Sequence, residues 1–246
     1  MAENNKEDWQ QKTALLIGEE GLEKLRNSHV LIVGLGGVGA YTAEQLCRAG
    51  VGSLTLVDND VVETTNRNRQ LTGLISNKGK FKTEVLKQRF LDINPEITIN
   101  LRTEYLKDKI DDDILSEQKF DYVVDAIDTL SPKTYLILKC LEYDYPLVSS
   151  MGSGGKLDPC KVTISDISKT YDCKLARALR KKLHTLGIRR GVKTVFSPEI
   201  VPENCVKYEE GINKKSTVGT ISYMPAIFGC FCASVVLRDL LSDKNH

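Results

Sequence analysis

Two polar clusters in this chain each follow an apolar run, and their residue types could bind a phosphate-bearing ligand. The first run, residues 30–33, leads into Gly34-Leu-Gly-Gly-Val-Gly39 and then into a helix-compatible segment. Glycine lets the backbone approach a phosphate closely, and a helix N-terminus offers unpaired N–H groups and a positive dipole end. The second run ends at Asp58, where an acid can accept hydrogen bonds from ribose hydroxyls. The predicted phosphate-binding glycines are Gly34, Gly36, Gly37 and Gly39.

The residues that follow Asp58 favour polyphosphate chemistry over simple dinucleotide binding. Arg69 and Lys82 form a cationic pair that can neutralise charge on a phosphoryl group. Asp128 follows another predicted strand, and one carboxylate together with phosphate oxygens can hold Mg²⁺. We therefore predict catalytic roles for Arg69, Lys82 and Asp128. The predicted ligand-binding side chains are Asp58, Asp60, Asn66, Arg69, Gln70, Lys82 and Asp128.

Alternation of apolar strand segments with helical segments predicts an α/β fold, a Rossmann-like, doubly wound and mostly parallel sheet. Asp58 and Asp128 then both lie at the carboxyl edge of the sheet, where ligands bind in such folds. Strands are predicted at residues 29–34, 53–58, 97–101, 120–125 and 146–150. Helices are predicted at residues 8–27 (broken at Gly18 and Gly21), 38–49, 80–90 and 132–143. An antiparallel extension is predicted from strands 161–166 and 192–196, with a closing helix at 224–241.

Length and composition are those of a globular protein, with 246 residues, 41% hydrophobic and 27% charged. We predict a single domain over residues 8–246, with a nucleotide-binding half at 8–150 and a substrate-facing half at 151–246. Seven cysteines, an odd number, predict reduced thiols and a cytoplasmic protein. The first 29 residues show no signal peptide, and the apolar run 224–237 is too short to span a bilayer. No membrane partner is expected.

Positive charge is concentrated in one element. Residues 172–187 predict a helix with Asp172 as its N-cap and Gly187 just past its end. Residues 172–193 carry eight Lys or Arg and one acid, a net of +7 in a chain of net +1, so the remainder carries −6. Such a patch predicts a nucleic-acid contact, and a solvated amphipathic helix is the alternative. The candidate contacts are Arg177, Arg180, Lys181 and Lys182.

The pattern D-x-D-x-V-x-x-[ST]-N-x-x-R-Q from Asp58 to Gln70, a lysine at position 82, and D-x-x-D ending at Asp128 resembles the ubiquitin-activating superfamily, typified by MoeB and ThiF. Members of that superfamily adenylate a carboxylate with Mg-ATP. The resemblance covers residues 18–150 and implies ATP and Mg²⁺ as cofactors, with the glycines at the phosphates and Asp58 at the ribose.

Further segments resemble the tRNA threonylcarbamoyladenosine dehydratases within that superfamily. These are Asn66-Arg-Asn-Arg-Gln70, Ser131-Pro-Lys133, Gly152-Ser-Gly-Gly155 and Leu175-Ala-Arg-Ala-Leu-Arg180. Such enzymes activate the threonyl carboxylate of a modified adenosine beside the anticodon, and the acyl group then cyclises. The resemblance implies tRNA as partner, a homodimer, and a cysteine desulfurase sulfur-transfer system as a further partner to be tested.

The chain departs from its relatives at several cysteines and at one cation. MoeB and ThiF usually carry two C-x-x-C pairs for zinc, whereas this chain has none, so no structural zinc is expected. Cys230 and Cys232 are predicted to be core residues. Cys205 is the loop cysteine nearest to residues 214–219, which contain none, and we predict that it is buried or inert. The N-terminal helix lacks the arginine that reaches the partner's ATP in dimeric relatives, and Lys12 is the nearest cation.

Two other functions stay open. The chain could adenylate the C-terminal glycine of a ubiquitin-like sulfur carrier, although the absence of C-x-x-C pairs counts against it. It could also be a non-catalytic or redox NAD-binding module, which would give Arg69, Lys82 and Asp128 no role. Binding of NADH rather than ATP·Mg would favour that module.

Overall fold

The computed structural model describes residues 9–103, 110–208 and 216–242 of the chain. Two kinds of element alternate along it. The helices are α1 (Gln11–Arg26), α2 (Gly39–Ala49), α3 (Lys82–Ile93), α4 (Ile110–Glu117), α5 (Leu130–Glu142), α6 (Lys174–Thr185) and α7 (Tyr223–Leu241). The strands are β1 (His29–Val33), β2 (Ser53–Val57), β3 (Thr98–Arg102), β4 (Tyr122–Asp125), β5 (Leu147–Ser150), β6 (Thr163–Asp166), β7 (Lys193–Phe196), β8 (Val206–Tyr208) and β9 (Ser216–Val218).

Seven strands form one sheet in the order β3-β2-β1-β4-β5-β7-β6, and β8 and β9 form a separate antiparallel pair. All neighbours in the large sheet run parallel except β6, which is antiparallel to β7. The strand order reverses direction between β1 and β4. Ligands bind at such a switch point, outside the carboxyl ends of the strands, because the loops diverge there.

Alternating side chains of the strands pack into two cores, one on each face of the sheet. Ile32 of β1 points into a core with α1, α2, α3 and α7, whereas its neighbour Leu31 points into a core with α4, α5 and α6. Helices on both faces bury both sides of the parallel strands, which explains their continuous apolar sequences. Because both faces of the sheet are covered, its carboxyl edge stays accessible, and the loops after β1, β2 and β4 project from that edge.

The predicted α/β architecture is confirmed, and most predicted elements appear with ends within a few residues. Strand β7 is the exception in direction, since it pairs parallel to β5 and only β6 is antiparallel. An apolar pattern identifies a strand, but its direction depends on the connection that precedes it. Helix α4 and strands β8 and β9 were not predicted, and β9 occupies part of the loop expected at residues 214–219, of which 214 and 215 lie outside the described residues.

The predicted N-cap of helix α6 is wrong, while its predicted end is confirmed. Asp172 has a left-handed backbone with φ of 49°, so the N-cap is Cys173, which makes no side-chain cap bond. Gly187 has φ of 83°, and its N–H and that of Ile188 bond to carbonyls of the last helical turn. Glycine adopts this conformation without steric cost, which makes it the usual residue after a helix.

Helix α7 has 19 residues and is long and apolar enough to cross a membrane by length and composition. The apolar run 224–237 was predicted to be too short for this, and that prediction does not hold for the whole helix. The packing of α7 is that of a core helix, because Met224, Phe228 and Cys232 are fully buried against α2 and the sheet. Cys232 is thus a core residue as predicted. Cys230 is exposed, and its predicted core placement is wrong, because residues two apart on a helix point in nearly opposite directions.

Candidate nucleotide-binding site

The loop after β1 can be built only from glycine at two positions. Gly34 has φ of 88°, and a Cβ on it would lie 2.8 Å from the Ala126 carbonyl oxygen. A Cβ on Gly39 would lie 1.8 Å from the Gly34 carbonyl oxygen. The loop after β1 therefore folds tightly on itself and against the loop after β4, which brings together the two segments at the switch point.

The exposed side of this loop can accommodate phosphates. A Cβ added to Gly36 would meet nothing closer than Nε2 of Gln70, at 3.9 Å. Helix α2 begins at Gly39, and its N-cap Val38 supplies no side-chain cap bond. The Ala40 N–H donates to the Gly36 carbonyl, so the positive end of the helix dipole lies at the glycine loop. Gln70 Oε1 is buried and has no hydrogen-bond partner, an arrangement that a donor on a bound ligand would satisfy.

Asp58 connects the end of β2 to the glycine loop. Its Oδ2 accepts a 2.6 Å hydrogen bond from the Leu35 N–H, and its Oδ1 accepts one of 2.8 Å from the Asp60 N–H. Burial raises the pKa of Asp58, although the Lys82 charge and the two N–H donors counteract that effect. A carboxylate oxygen has further lone pairs, so Asp58 can hold the loop and still accept from a ribose hydroxyl.

Lys82 places a buried cation beside Asp58 and Asp60. It is the first residue of α3, and its side chain is only 4% exposed. Its Nζ lies 2.7 Å from Oδ2 of Asp60 and 4.0 Å from Oδ1 of Asp58. Asp60 is itself well exposed, so an incoming anion can replace its carboxylate at Nζ without leaving a buried charge unpaired.

The segment from Asn66 to Gln70 forms the wall beside the glycine loop. Asn66 is buried, and its Oδ1 accepts from the Glu63 N–H, so it shapes the turn itself. Nη1 of Arg69 donates to the Thr65 carbonyl at 2.9 Å and to Asn68 Oδ1 at 2.8 Å. A Cβ on Gly37 would lie 3.4 Å from the Arg69 carbonyl oxygen, which places this wall in contact with the loop.

Asp128 lies on the loop after β4, three residues beyond the strand, with an exposed side chain. Within the described ranges, no group of three or more His, Cys, Asp or Glu side chains could hold a metal ion by itself. A single carboxylate still fits Mg²⁺ that is bound mainly through phosphate oxygens. The donor set therefore suits a nucleotide-bound Mg²⁺ rather than a metal held by protein alone.

Several residues that organise the site have no role predicted from the sequence. Buried Asp125, Lys133 and Ser149 form one polar cluster behind the loop that carries Asp128. Asn68 donates to the Thr220 carbonyl, and a Cβ on Gly37 would lie 2.8 Å from Pro225, so the start of α7 covers the glycine loop. A lysine eight residues after the strand-end acid was the one visible signal for the cluster.

The loop after β5, residues 151–158, contacts the segments that precede α7 and follow β7. Gly155 has φ of 70°, and its N–H donates to the Gly219 carbonyl, next to β9. Lys156 is buried, and its Nζ donates to the carbonyls of Ser197 and Glu199, which follow β7. Burial lowers the pKa of Lys156. The two loops are thus held together by an internal lysine.

The predicted tRNA contacts on α6 differ in their availability. Arg177, Lys181 and Lys182 are exposed, and Arg177, Arg180 and Lys181 line one shallow surface together with His184 and Thr185. Arg180 is half-buried, and its Nη1 donates to the carbonyl and hydroxyl of Thr170. Arg180 therefore fixes α6 to the preceding turn, which makes it a weaker candidate for direct contact than the other three.

Two further predicted residues lie at the periphery. Lys12 is exposed in the first turn of α1. Cys205 is half-buried, and its backbone carbonyl accepts from the Gly219 N–H.

Several known proteins resemble this chain in sequence and in fold. Residues 10–246 match the ThiF family. The tRNA threonylcarbamoyladenosine dehydratases of Bacillus subtilis and Escherichia coli are 41% and 34% identical to this chain, over 94% and 95% of each protein. The crystal structure of E. coli TcdA, tRNA N6-threonylcarbamoyladenosine dehydratase, in complex with ATP matches with a TM-score of 0.87 over 95% of both chains. With the family match covering the glycine loop, Lys82, Asp128 and helix α6 alike, the chain belongs to the ThiF family.

Proposed function

We propose that this protein is an ATP-dependent dehydratase that cyclises threonylcarbamoyladenosine in tRNA by adenylating its carboxylate. Relatives that share 34–41% of their residues over nearly the whole chain carry that name, and a TcdA structure of 34% identity binds ATP. The observation that carries the proposal is buried Lys82, which is held between two acids beside the glycine loop. Hydride transfer has no need of such a cation, whereas phosphoryl chemistry does.

The site residues would divide the work as follows. The loop from Gly34 to Gly39 and the N-terminus of α2 would bind the phosphates, and Asp58 would accept from the ribose. Asp60 and Gln70 would contact the ligand, whereas buried Asn66 would shape the wall that carries Arg69. Each assignment follows from the position of the side chain at the carboxyl edge.

The reaction would proceed in two displacements. A substrate carboxylate oxygen attacks the α-phosphorus of ATP, the bond to the bridging oxygen breaks, and pyrophosphate leaves. Arg69 and Lys82 stabilise the charge that develops on the phosphoryl oxygens. A nucleophile within the same substrate then attacks the activated acyl carbon, and AMP leaves with the former carboxylate oxygen. The net change is loss of one water, and no catalytic cysteine is required.

Asp128 would hold Mg²⁺ together with phosphate oxygens. When bound there, Mg²⁺ would neutralise charge on the departing pyrophosphate. Asp128 is suited to this by its exposure on the loop that contacts Gly34. The residues present call for no structural zinc, since the sequence contains no C-x-x-C pair.

The basic surface of α6, defined by Arg177, Lys181 and Lys182, would contact tRNA phosphates. Two further features favour binding of a polyanion to this surface. Lys174 is exposed on the same helix, and residues 172–193 carry a net charge of +7. A homodimer in the cytoplasm and sulfur transfer from a cysteine desulfurase are further proposals.

The runner-up function is adenylation of the C-terminal glycine of a ubiquitin-like sulfur carrier. It would use the same nucleotide site, and it differs in the acyl substrate. Neither the charge of α6 nor the absence of C-x-x-C pairs favours it. A non-catalytic NAD-binding module is disfavoured by Lys82.

One experiment separates the three functions. Purified protein is titrated with ATP·Mg and with NADH, and AMP release is then measured with threonylcarbamoyladenosine-containing tRNA or with a sulfur-carrier protein ending in glycine. The proposal predicts binding of ATP and AMP release with the modified tRNA alone. Binding of NADH alone, or AMP release with the carrier alone, would overturn it.

A further inference from the structure

A fully buried carboxylate lies directly behind the loop that carries Asp128. Asp125 is the last residue of β4, and none of its surface is exposed. Its Oδ2 accepts from Lys133 Nζ at 2.7 Å and from Ser149 Oγ at 2.6 Å, while its Oδ1 accepts from the Ile127 N–H at 3.1 Å. Lys133 and Ser149 are equally buried. We call Asp125, Lys133 and Ser149 the buried cluster.

The three hydrogen bonds join three different parts of the fold. Ser149 belongs to β5, Lys133 to the first turn of α5, and Ile127 to the loop between β4 and α5. The loop backbone is also tied to β1, because the Ala126 N–H donates to the Val33 carbonyl. Asp128 follows Ile127 directly. The position of the loop is therefore set from both ends by one carboxylate.

Stability alone is a weak reason for this arrangement. Burying two charges is costly, and replacing a buried ion pair by neutral side chains of similar volume is often neutral or even stabilising. The nearby thiol of Cys232 adds no charge, because burial raises its pKa to about 12. The charged pair supplies a fixed orientation, which apolar packing would not. Its hydrogen bonds set the direction of the Asp125 carboxylate and therefore that of the Ile127 N–H.

We propose that the buried cluster positions Asp128 for the metal-bound phosphates of the nucleotide. Asp125, Lys133 and Ser149 touch no substrate and act through the loop at residues 126–129. This inference rests on the proposed role of Asp128 in holding Mg²⁺. Residues that orient a metal ligand from behind typically change metal affinity or activity by about 10–100-fold when they are altered.

The test uses neutral replacements that avoid an unpaired buried charge. The double variant Asp125→Asn with Lys133→Met keeps side-chain size but removes both charges and one acceptor oxygen. The single variant Ser149→Ala removes one hydrogen bond and serves if the double variant does not fold. Ser150→Ala is the matched control on the same strand, since the Ser150 hydroxyl bonds the Met151 carbonyl instead of Asp125. Lys139→Met with Glu142→Gln removes an ion pair of α5 in which Glu142 is exposed and Lys139 is half-buried, and it controls for the double variant.

Two binding measurements report on position rather than on folding. Mn²⁺ affinity is measured by electron paramagnetic resonance with a non-hydrolysable ATP analogue present, and analogue affinity is measured in EDTA. We expect the double variant to bind Mn²⁺ about 10–100-fold more weakly, and Ser149→Ala to shift in the same direction by less. Analogue affinity in EDTA should stay within about twofold, and both controls should match the wild type in every measurement.

The same measurements on Asp128→Ala separate this inference from the proposed function. If Asp128→Ala leaves Mn²⁺ affinity unchanged, the metal role of Asp128 is wrong, and the positioning role is overturned with it. If Asp128→Ala weakens Mn²⁺ binding but Ser149→Ala and the folded double variant bind it as the wild type does, the proposed function survives and the positioning role alone is overturned.

Discussion

Replacement of Lys82 by methionine tests the chemistry of the site. Methionine retains most of the apolar stem that packs at the start of α3, so the change removes chiefly the charge. Asp60 is 62% exposed and stays solvated in the variant. Asp58 keeps both of its backbone hydrogen bonds. We therefore expect the variant to fold.

The size of the effect follows from the burial of Nζ. Two unit charges 4 Å apart interact by about 4 kcal/mol at an effective dielectric of about 20, and the 4.0 Å separation of Nζ from Asp58 is of that order. An anion that develops charge beside Nζ would gain a similar amount. Since about 1.4 kcal/mol corresponds to tenfold in rate, we expect adenylation to slow by about 10²–10³-fold.

The assay measures AMP release at saturating ATP with threonylcarbamoyladenosine-containing tRNA. Lys87→Met places the same substitution five residues further along the same helix and should keep the wild-type rate. Affinity for an ATP analogue should fall much less than the rate in Lys82→Met. An unchanged maximal rate with a loss of affinity alone would refute the transition-state role of Lys82.

Four other predictions concern separate parts of the protein. Arg69→Ala should lower the maximal rate of AMP release by about 10²-fold, with a smaller change in analogue affinity, and the reverse pattern would assign Arg69 to binding alone. Asp128→Ala should abolish AMP release while circular dichroism and melting temperature stay as in the wild type; release at a near wild-type rate would eliminate the metal role. Lys181→Glu with Lys182→Glu should weaken tRNA binding, and the slope of log affinity against log salt concentration should flatten by about one unit per lost contact. The control Lys87→Glu should change neither quantity. If the double variant keeps the wild-type affinity and salt slope, α6 does not belong to the tRNA-binding surface. Burial tends to raise the pKa of Glu44, but hydrogen bonds from Arg89 and Arg48 outweigh burial and hold that pKa below its ordinary value of 4.5. The free energy of unfolding should therefore fall as pH drops through 4.5 and below it. In urea titrations, Glu44→Gln should lose less stability than the wild type at acid pH, and parallel pH profiles of the two proteins would contradict the pairing.

Local sequence patterns predict the parts of the site that depend on neighbours along the chain. Gly34 and Asp58 follow apolar strands, so their placement at the carboxyl edge follows from the parallel sheet itself. Lys82 starts a helix that leads away from the same edge. Their roles as ligands stay predictions, although the structure brings Asp58 and Lys82 within 4.0 Å of each other.

Contacts between distant segments could not be predicted in this way. Asp125 bonds Ser149 on the neighbouring strand β5. Arg180 donates to the Thr170 carbonyl, a contact that the charge pattern of α6 does not predict. Cys230 illustrates a different limit. The apolar sequence around it indicates a buried helix, but only the packing of α7 decides which face is left exposed. The left-handed backbone of Asp172 likewise gives no signal in the sequence.

The most direct test of the proposed function is mass spectrometry of the modified nucleoside after reaction. Purified protein is incubated with ATP, Mg²⁺ and tRNA that contains threonylcarbamoyladenosine, and Asp128→Ala serves as the inactive control. We expect the nucleoside to lose the mass of one water, with one AMP formed for each nucleoside converted and no conversion by the variant. An unchanged nucleoside mass in the presence of wild-type protein and ATP would contradict the proposed function.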